Sequence, residues 1–149
     1  DVVLVVDDAP ETLSLLTDAL EAGGMTVLVA TDGATALQRV SRIIPDVILL
    51  DAVMPGMDGF ETCAALRAQP PLAQVPIIFM TGLADTEHVV RGFDSGGVDY
   101  VTKPIDPDVL IARLRTHLAN ARRMFSARAA LDAAGRALLS ATPDGRVQW

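Results

Sequence analysis

The sequence predicts an α/β fold: a doubly wound, five-stranded parallel sheet in the order 2-1-3-4-5, with helices on both faces. Three observations predict it. Five short β-branched runs recur along the chain, and segments with helical spacing separate them. Half of the 149 residues are hydrophobic but only 4% are aromatic, so Val, Ile, Leu and Ala must build the core. Strict alternation of strand and helix implies parallel strands joined by right-handed crossovers and covered on both faces.

The strands are expected over residues 2–6, 26–30, 46–50, 76–80 and 98–102. After the first, Leu13, Leu16, Ala19 and Leu20 form a helical stripe closed by Gly23-Gly24. Ala34, Leu37, Val40 and Ile44 form the second, which ends at Pro45. Phe60, Cys63, Ala64 and Leu66 follow Gly59, and Val89, Val90 and Phe93 precede Gly96-Gly97. The last helix is expected over residues 106–134, which hold no Pro except Pro107 at the helix start and no Gly; Ile111, Leu114, Leu118, Ala121 and Phe125 set its spacing.

One cysteine, Cys63, excludes an internal disulfide framework and is expected to be a small core hydrophobe in a reducing compartment. No apolar run reaches the length of a membrane span, and the start lacks a basic signal-peptide region, so the expectation is a soluble, cytoplasmic protein. The net charge of −7 is uneven. Residues 1–110 carry 17 acids and 5 bases, while residues 111–149 carry 2 acids and 7 bases. An acidic first part repels phosphate backbones, so no nucleic-acid surface is expected there; the later arginines read as a solvated helix face.

Chemistry gathers at the strand exits. Strand 1 runs into Asp7-Asp8, strand 3 into Asp51, strand 4 into Thr81-Gly82 and strand 5 into Lys103-Pro104. In a 2-1-3-4-5 sheet these four exits share one edge, where open α/β sheets bind ligands. Taken singly, Asp7-Asp8 and Thr81 read as caps and Lys103 as a solvated charge; their convergence gives them a common purpose. Three carboxylates at one edge repel one another unless a cation joins them, and hard oxygen ligands select Mg²⁺, or Mn²⁺ as a relative. Such a metal takes phosphate oxygens, Lys103 adds a point charge and Thr81 a hydroxyl donor. One carboxylate would then be the nucleophile, giving an acyl phosphate. Asp51 fits best on the central strand, with Asp7 and Asp8 better placed to hold metal.

The stretches "VVDD", "DVILLDAVMPGMDGFE", "IIFMTG" and "DYVTKP" resemble, in order and spacing over about residues 1–120, the receiver domain of bacterial two-component response regulators, a flavodoxin-like fold. The resemblance implies that Asp51 accepts phosphate from a phosphohistidine of a sensor histidine kinase. It implies Mg²⁺ held by Asp7, Asp8, Asp51 and the backbone carbonyl of Val53, with Thr81 and Lys103 on the phosphoryl oxygens. It also implies a cis Lys103–Pro104 bond, and a switch in which Thr81 moves toward the phosphate while the Tyr100 ring takes its space, altering the face of helix 4, strand 5 and helix 5. Such a receiver is a signalling phosphoacceptor rather than an enzyme. Two positions depart from polar choices common in the family: Val53, two after Asp51, and Leu83, two after Thr81. Neither can orient a hydrolytic water, so a long-lived phosphoryl group is expected.

The expected organisation is a receiver over residues 1–120, a signalling helix over 121–134, and the start of a truncated module over 135–149. In the last of these, "RALLSATPDGRVQW" reads as strand, turn and strand and resembles the opening of a PAS-like domain. A homodimer through the helix 4–strand 5–helix 5 face, the extended last helix or both is expected, with control of transcription through a missing DNA-binding output module. Two alternatives stand beside it: a receiver of a hybrid kinase or phosphorelay, and a Mg²⁺-dependent aspartyl-phosphate phosphatase. The latter places its nucleophile after strand 1 in an Asp-x-Asp pair, whereas here the candidate nucleophile follows strand 3 and the residue two later is Val53. Dinucleotide and P-loop glycine motifs are absent as well.

Overall fold

The structure, a computed structural model, describes residues 1–82 and 86–141. The chain runs β1 (Val2–Val6), α1 (Pro10–Ala22), β2 (Thr26–Ala30), α2 (Gly33–Val40), β3 (Val47–Asp51), α3 (Gly59–Arg67), a 3₁₀ turn (Pro70–Leu72), β4 (Ile77–Thr81), α4 (Thr86–Asp94), β5 (Asp99–Thr102) and α5 (Pro107–Ala141). The five strands form one parallel sheet in the order β2-β1-β3-β4-β5. The predicted fold class is the observed one.

Side chains alternate across the sheet with the two-residue period of a strand. Leu4, Val6, Ile48, Leu50, Ile77 and Phe79 pack on one face with α2 and α3, through Ala36, Val40, Phe60, Cys63 and Leu66. Val3, Val5, Val47, Leu49, Ile78 and Met80 pack on the other with Leu16 and Leu20 of α1 and Leu110, Leu114 and Leu118 of α5. β3 is buried along its whole length, which is why its sequence is a continuous apolar run rather than an alternating one. Cys63 is fully buried, as expected.

Helix starts are fixed by local chemistry. Asp32 and Asp58 cap α2 and α3 by accepting hydrogen bonds from the Thr35 and Glu61 amides, at 2.7 and 2.8 Å. Pro10 opens α1, where its missing N–H costs nothing.

Four expectations are corrected. β3 and β4 each start and end one residue later than their apolar runs suggested, so Asp51 and Thr81 are the last rungs of the ladder, paired with Met80 and Thr102. α2 stops at Val40, leaving Ile44 46% exposed, and Ala34 and Ala64 are exposed as well. In α4 the expected core stripe faces water: Val90 and Phe93 are 50% and 48% exposed, and Gly92 is the buried residue. The last helix continues past Gly135 to Ala141, where a strand was expected. Strong helix formers on both sides of Gly135 outweigh the roughly 1 kcal/mol that Gly costs in a helix. The turn and second strand expected beyond it lie outside the described residues.

The chain divides into two units, Asp1–Leu118 and Ala119–Trp149. In the second, the described helical side chains include an exposed Met124 and Leu131. Among the described residues no helix is long and apolar enough to cross a membrane.

Candidate functional site

The site is assembled from the ends of β1, β3, β4 and β5. The ladder carries on past β1, with the Asp7 amide donating to Ala30 O at 3.1 Å, so the Asp7 backbone is as fixed as a strand residue. Asp51 and Thr81 end β3 and β4 within the sheet, and the Lys103 amide donates to Thr81 O at 2.9 Å. The Lys103–Pro104 bond is cis.

Asp7, Asp8 and Asp51 each offer a carboxylate oxygen within 4.8 Å of the others. Asp7 is fully buried and Asp51 nearly so, while Asp8 is exposed at the mouth of the cluster. Each buried carboxylate spends one oxygen on a backbone N–H and the other on Lys103. Asp7 Oδ1 accepts from the Ala9 amide at 2.8 Å, and Asp51 Oδ1 from the Val53 amide at 3.2 Å. Lys103 Nζ donates to Asp7 Oδ2 at 2.9 Å and Asp51 Oδ2 at 3.3 Å.

The Lys103 ammonium therefore bonds two of the three clustered carboxylates. Burial pushes the Asp51 carboxyl above its usual range; the Val53 amide pulls it back, the Asp7 charge raises it further, and Lys103 offsets only part of this. Lys103 moves upward as well. Burial alone would lower it, but the Asp7 hydrogen bond and the charges of Asp51 and Asp7 prevail. An excess of hard, negatively charged oxygens, open to solvent on the Asp8 side, is the donor set that suits a divalent cation such as Mg²⁺.

The remaining predicted residues sit at stated places. Thr81 is buried one residue beyond Met80, the cross-strand partner of Asp51. The Val53 side chain is 55% exposed and touches the site through its amide. Tyr100 is outside the carboxylate cluster: it pairs with Phe79, their ring centroids 6.1 Å apart, on the sheet face that Thr81 shares by strand alternation. Leu83 lies outside the described residues.

Chain-reading missed the supports around the site. Asp58, cap of α3, also meets Arg91 of α4 at 3.4 Å, and the Arg91 guanidinium lies 4.5 Å from the Phe60 ring centre. An Asp-x-x-Glu pattern at 58–61 signalled the cap; nothing signalled the reach to α4. Asp99 of β5 accepts from Arg113 and His117 of α5, both at 3.0 Å, so His117 is a bonded, half-buried residue.

The model of the response regulator receiver domain matches residues 3–115. The chain belongs to this family. The DNA-binding response regulator MtrA of Mycolicibacterium smegmatis is 44% identical over 116 residues, 78% of this chain and 50% of MtrA. The response regulator PleD of Caulobacter vibrioides is 43% identical over 114 residues, 76% of this chain and 25% of PleD. The chain thus spans about half of one and a quarter of the other. Among solved structures, the signal receiver domain of a signal transduction histidine kinase from Syntrophus aciditrophicus superposes with a TM-score of 0.76 at 34% identity, covering 82% of this chain and 92% of that one. Receivers of this family bind Mg²⁺ at a cluster of aspartates and interact with histidine kinases, and this chain brings Asp7, Asp8 and Asp51 together in an acidic group.

Proposed function

We propose that the chain takes a phosphoryl group from a phosphohistidine of a sensor histidine kinase onto Asp51 and changes conformation in response. The observation that carries this is the convergence of Asp7, Asp8, Asp51 and Lys103 at one sheet edge, with both buried carboxylates bonded to the same ammonium. An Asp51 carboxylate oxygen forms the new P–O bond as the P–N bond to the donor imidazole breaks, and the imidazole nitrogen keeps the electron pair. Mg²⁺ held by Asp7, Asp8, Asp51 and the Val53 carbonyl would neutralise charge on the transferring oxygens. Lys103, already within 3.3 Å of Asp51, needs only to exchange a carboxylate for a phosphoryl oxygen. Thr81 supplies a hydroxyl donor from the adjacent rung. Asp8, the exposed carboxylate, marks the side from which metal and donor enter.

Output follows from the same face of the sheet. Thr81 moving toward a phosphoryl group would free space that the Tyr100 ring fills, altering the α4–β5–α5 face, where Val90, Phe93 and Val98 are already exposed. A second copy docking on that face, along the exposed residues of the extended helix, or on both, would transmit the state to an output module outside this chain. Residues 1–120 are the receiver, 121–134 a signalling helix and 135–149 the approach to that module. By likeness to MtrA the module is a DNA-binding one and the process transcription regulation. The chain acts as a phosphoacceptor that catalyses only its own loading and unloading, in the cytoplasm, where a free Cys63 stays reduced. The kinase receiver from Syntrophus aciditrophicus favours one alternative, a receiver that passes phosphate onward within a hybrid kinase or relay.

Incubation with Mg²⁺ and acetyl phosphate tests the site. A stoichiometric, acid-labile adduct on Asp51, lost in Asp51→Asn, is the expected result. Sustained turnover would indicate a phosphatase instead. Mass in solution after beryllofluoride loading tests the dimer.

A further inference from the structure

We infer that Gly59 is a positioning residue for Asp51: its missing side chain lets the first turn of α3 seat directly on the backbone that carries the carboxylate. The inference rests on Asp51 being the phosphoacceptor and deepens that assignment. Gly59, the first residue of α3, donates its amide to Ala52 O at 2.9 Å and closes the loop from Ala52 to Asp58 into a ring. A Cβ built on Gly59 would overlap the Asp51 carbonyl oxygen, and would lie 2.6 Å from Ala52 Cα and 2.8 Å from the Asp51 carbonyl carbon. These are backbone atoms, so no change of rotamer relieves the overlap. Gly59 is not among the glycines with positive φ, so the requirement is for space and not for an unusual conformation.

The seat continues outward. Thr62, one turn into α3 and fully buried, donates to Asp58 O at 2.8 Å. A Cβ on Gly33, the first residue of α2, would overlap Thr62 Oγ1. α2 therefore rests on α3 as α3 rests on the end of β3, each at a glycine. The closed loop holds Val53, whose amide meets Asp51 Oδ1. Forcing α3 away from β3 must move the loop, and with it the oxygens offered to metal and phosphate, while the hydrophobic core contacts of Phe60, Cys63 and Leu66 keep the domain folded.

The test compares wild type and Gly59→Ala by thermal unfolding, by amide resonances of the metal-free protein, and by titration with Mg²⁺ followed by beryllofluoride. We expect a folded variant with displaced resonances across residues 51–59 and Mg²⁺ affinity weakened about tenfold or more, the scale on which groups supporting metal ligands act. Wild-type resonances and wild-type affinity, or a lower melting temperature with unchanged affinity, would overturn the inference. A wild-type protein that binds neither probe would instead overturn the phosphoacceptor assignment. Should Gly59→Ala not fold, Gly33→Ala replaces it: weakened Mg²⁺ affinity, restored when Thr62→Ala is added, supports the stacked seat, and unchanged affinity refutes it.

Discussion

Lys103 Nζ stands 2.9 Å from Asp7 Oδ2, although 96 residues separate the two in the chain. Asp7 is wholly buried and Lys103 keeps 27% of its side chain exposed, so the pair is an internal charge contact with one end in water. Among the described residues Lys103 is the cation that bridges Asp7 and Asp51.

Replacing Lys103 by Met should therefore separate two effects. The metal-free variant is expected to lose about 1–3 kcal/mol, toward the low end because Lys103 is partly solvated. Its Mg²⁺ affinity should rise above that of wild type, since the competing positive charge is gone, while phosphoryl uptake falls. Urea unfolding with and without Mg²⁺, together with a Mg²⁺ titration, reads all three. Weaker Mg²⁺ binding would show that Lys103 supports the metal instead of competing with it.

Asp51→Asn should run the other way. Burial and the Asp7 charge raise the Asp51 carboxyl, so its ionised form opposes folding at neutral pH. Without Mg²⁺ the Asn variant should be more stable than wild type by about 1 kcal/mol, the usual scale of a single substitution. With saturating Mg²⁺ the order should reverse, because wild type gains binding free energy that the variant cannot. A variant less stable in both conditions would refute this.

A pH-dependent contribution lies away from the site, where Asp99 of β5 meets α5. Burial pushes the Asp99 carboxyl up, but the His117 hydrogen bond, the Tyr100 amide and the Arg113 charge together pull it below its ordinary value. A lowered carboxyl stabilises the fold above its unfolded-state value of 3.8 and loses that contribution as pH falls through the lower folded-state value. Asp99→Asn should cost about 1 kcal/mol at pH 7, since Arg113 is half exposed and screened. The gap from wild type should stay level down to about pH 4 and then close. Unfolding curves across pH 2–7 check this, and a gap that persists at the acid end would refute it.

How much of this was legible follows from where each residue's partners lie. Asp7, Asp51 and Lys103 could be assigned because each sits at the end of a recognisable apolar run, and parallel topology brings such ends to one edge. Strand limits shifted by one residue because a ladder continues for as long as a neighbour supplies a partner, which no single run displays. Val90 and Phe93 read as core by spacing alone, yet the helix rests on Gly92, against the Tyr100 and Phe79 rings. Spacing counts side chains, whereas this contact is made where one is missing. Asp99 with His117, and Arg67 with its carbonyls, join elements whose spacing has no pattern to detect.

Arg67 illustrates that last class. Its guanidinium and Nε donate to Leu72 O at 2.8 Å, to Val75 O, and twice to Gly96 O at 3.0 and 2.8 Å, tying α3 to the segment before β4 and to the α4–β5 turn. Burial draws its pKa downward, the mark of a cation held in protein. Arg67→Met should keep the packing volume but leave these carbonyls without a donor, costing about 2–4 kcal/mol. Chemical denaturation measures it. A loss under about 0.5 kcal/mol, the range of ordinary surface changes, would mean water replaces the guanidinium freely.

Val53 bears on how long a phosphoryl group would last. Its side chain is 55% exposed while its amide is bonded to the Asp51 carboxylate, so the residue next to that oxygen offers no side-chain hydrogen-bonding group. Hydrolysis of an acyl phosphate needs a water aligned behind the phosphorus, and an apolar side chain can neither accept its proton nor fix its orientation. Val53→Asn leaves the backbone in place and adds an amide at that position. The expected result is loss of phosphate from Asp51 about tenfold faster, with uptake from acetyl phosphate little changed. Decay of the labelled protein after removal of the donor gives the rate directly. Equal decay in both proteins would show that the lifetime is set elsewhere, by access of water or by the charges around Asp51.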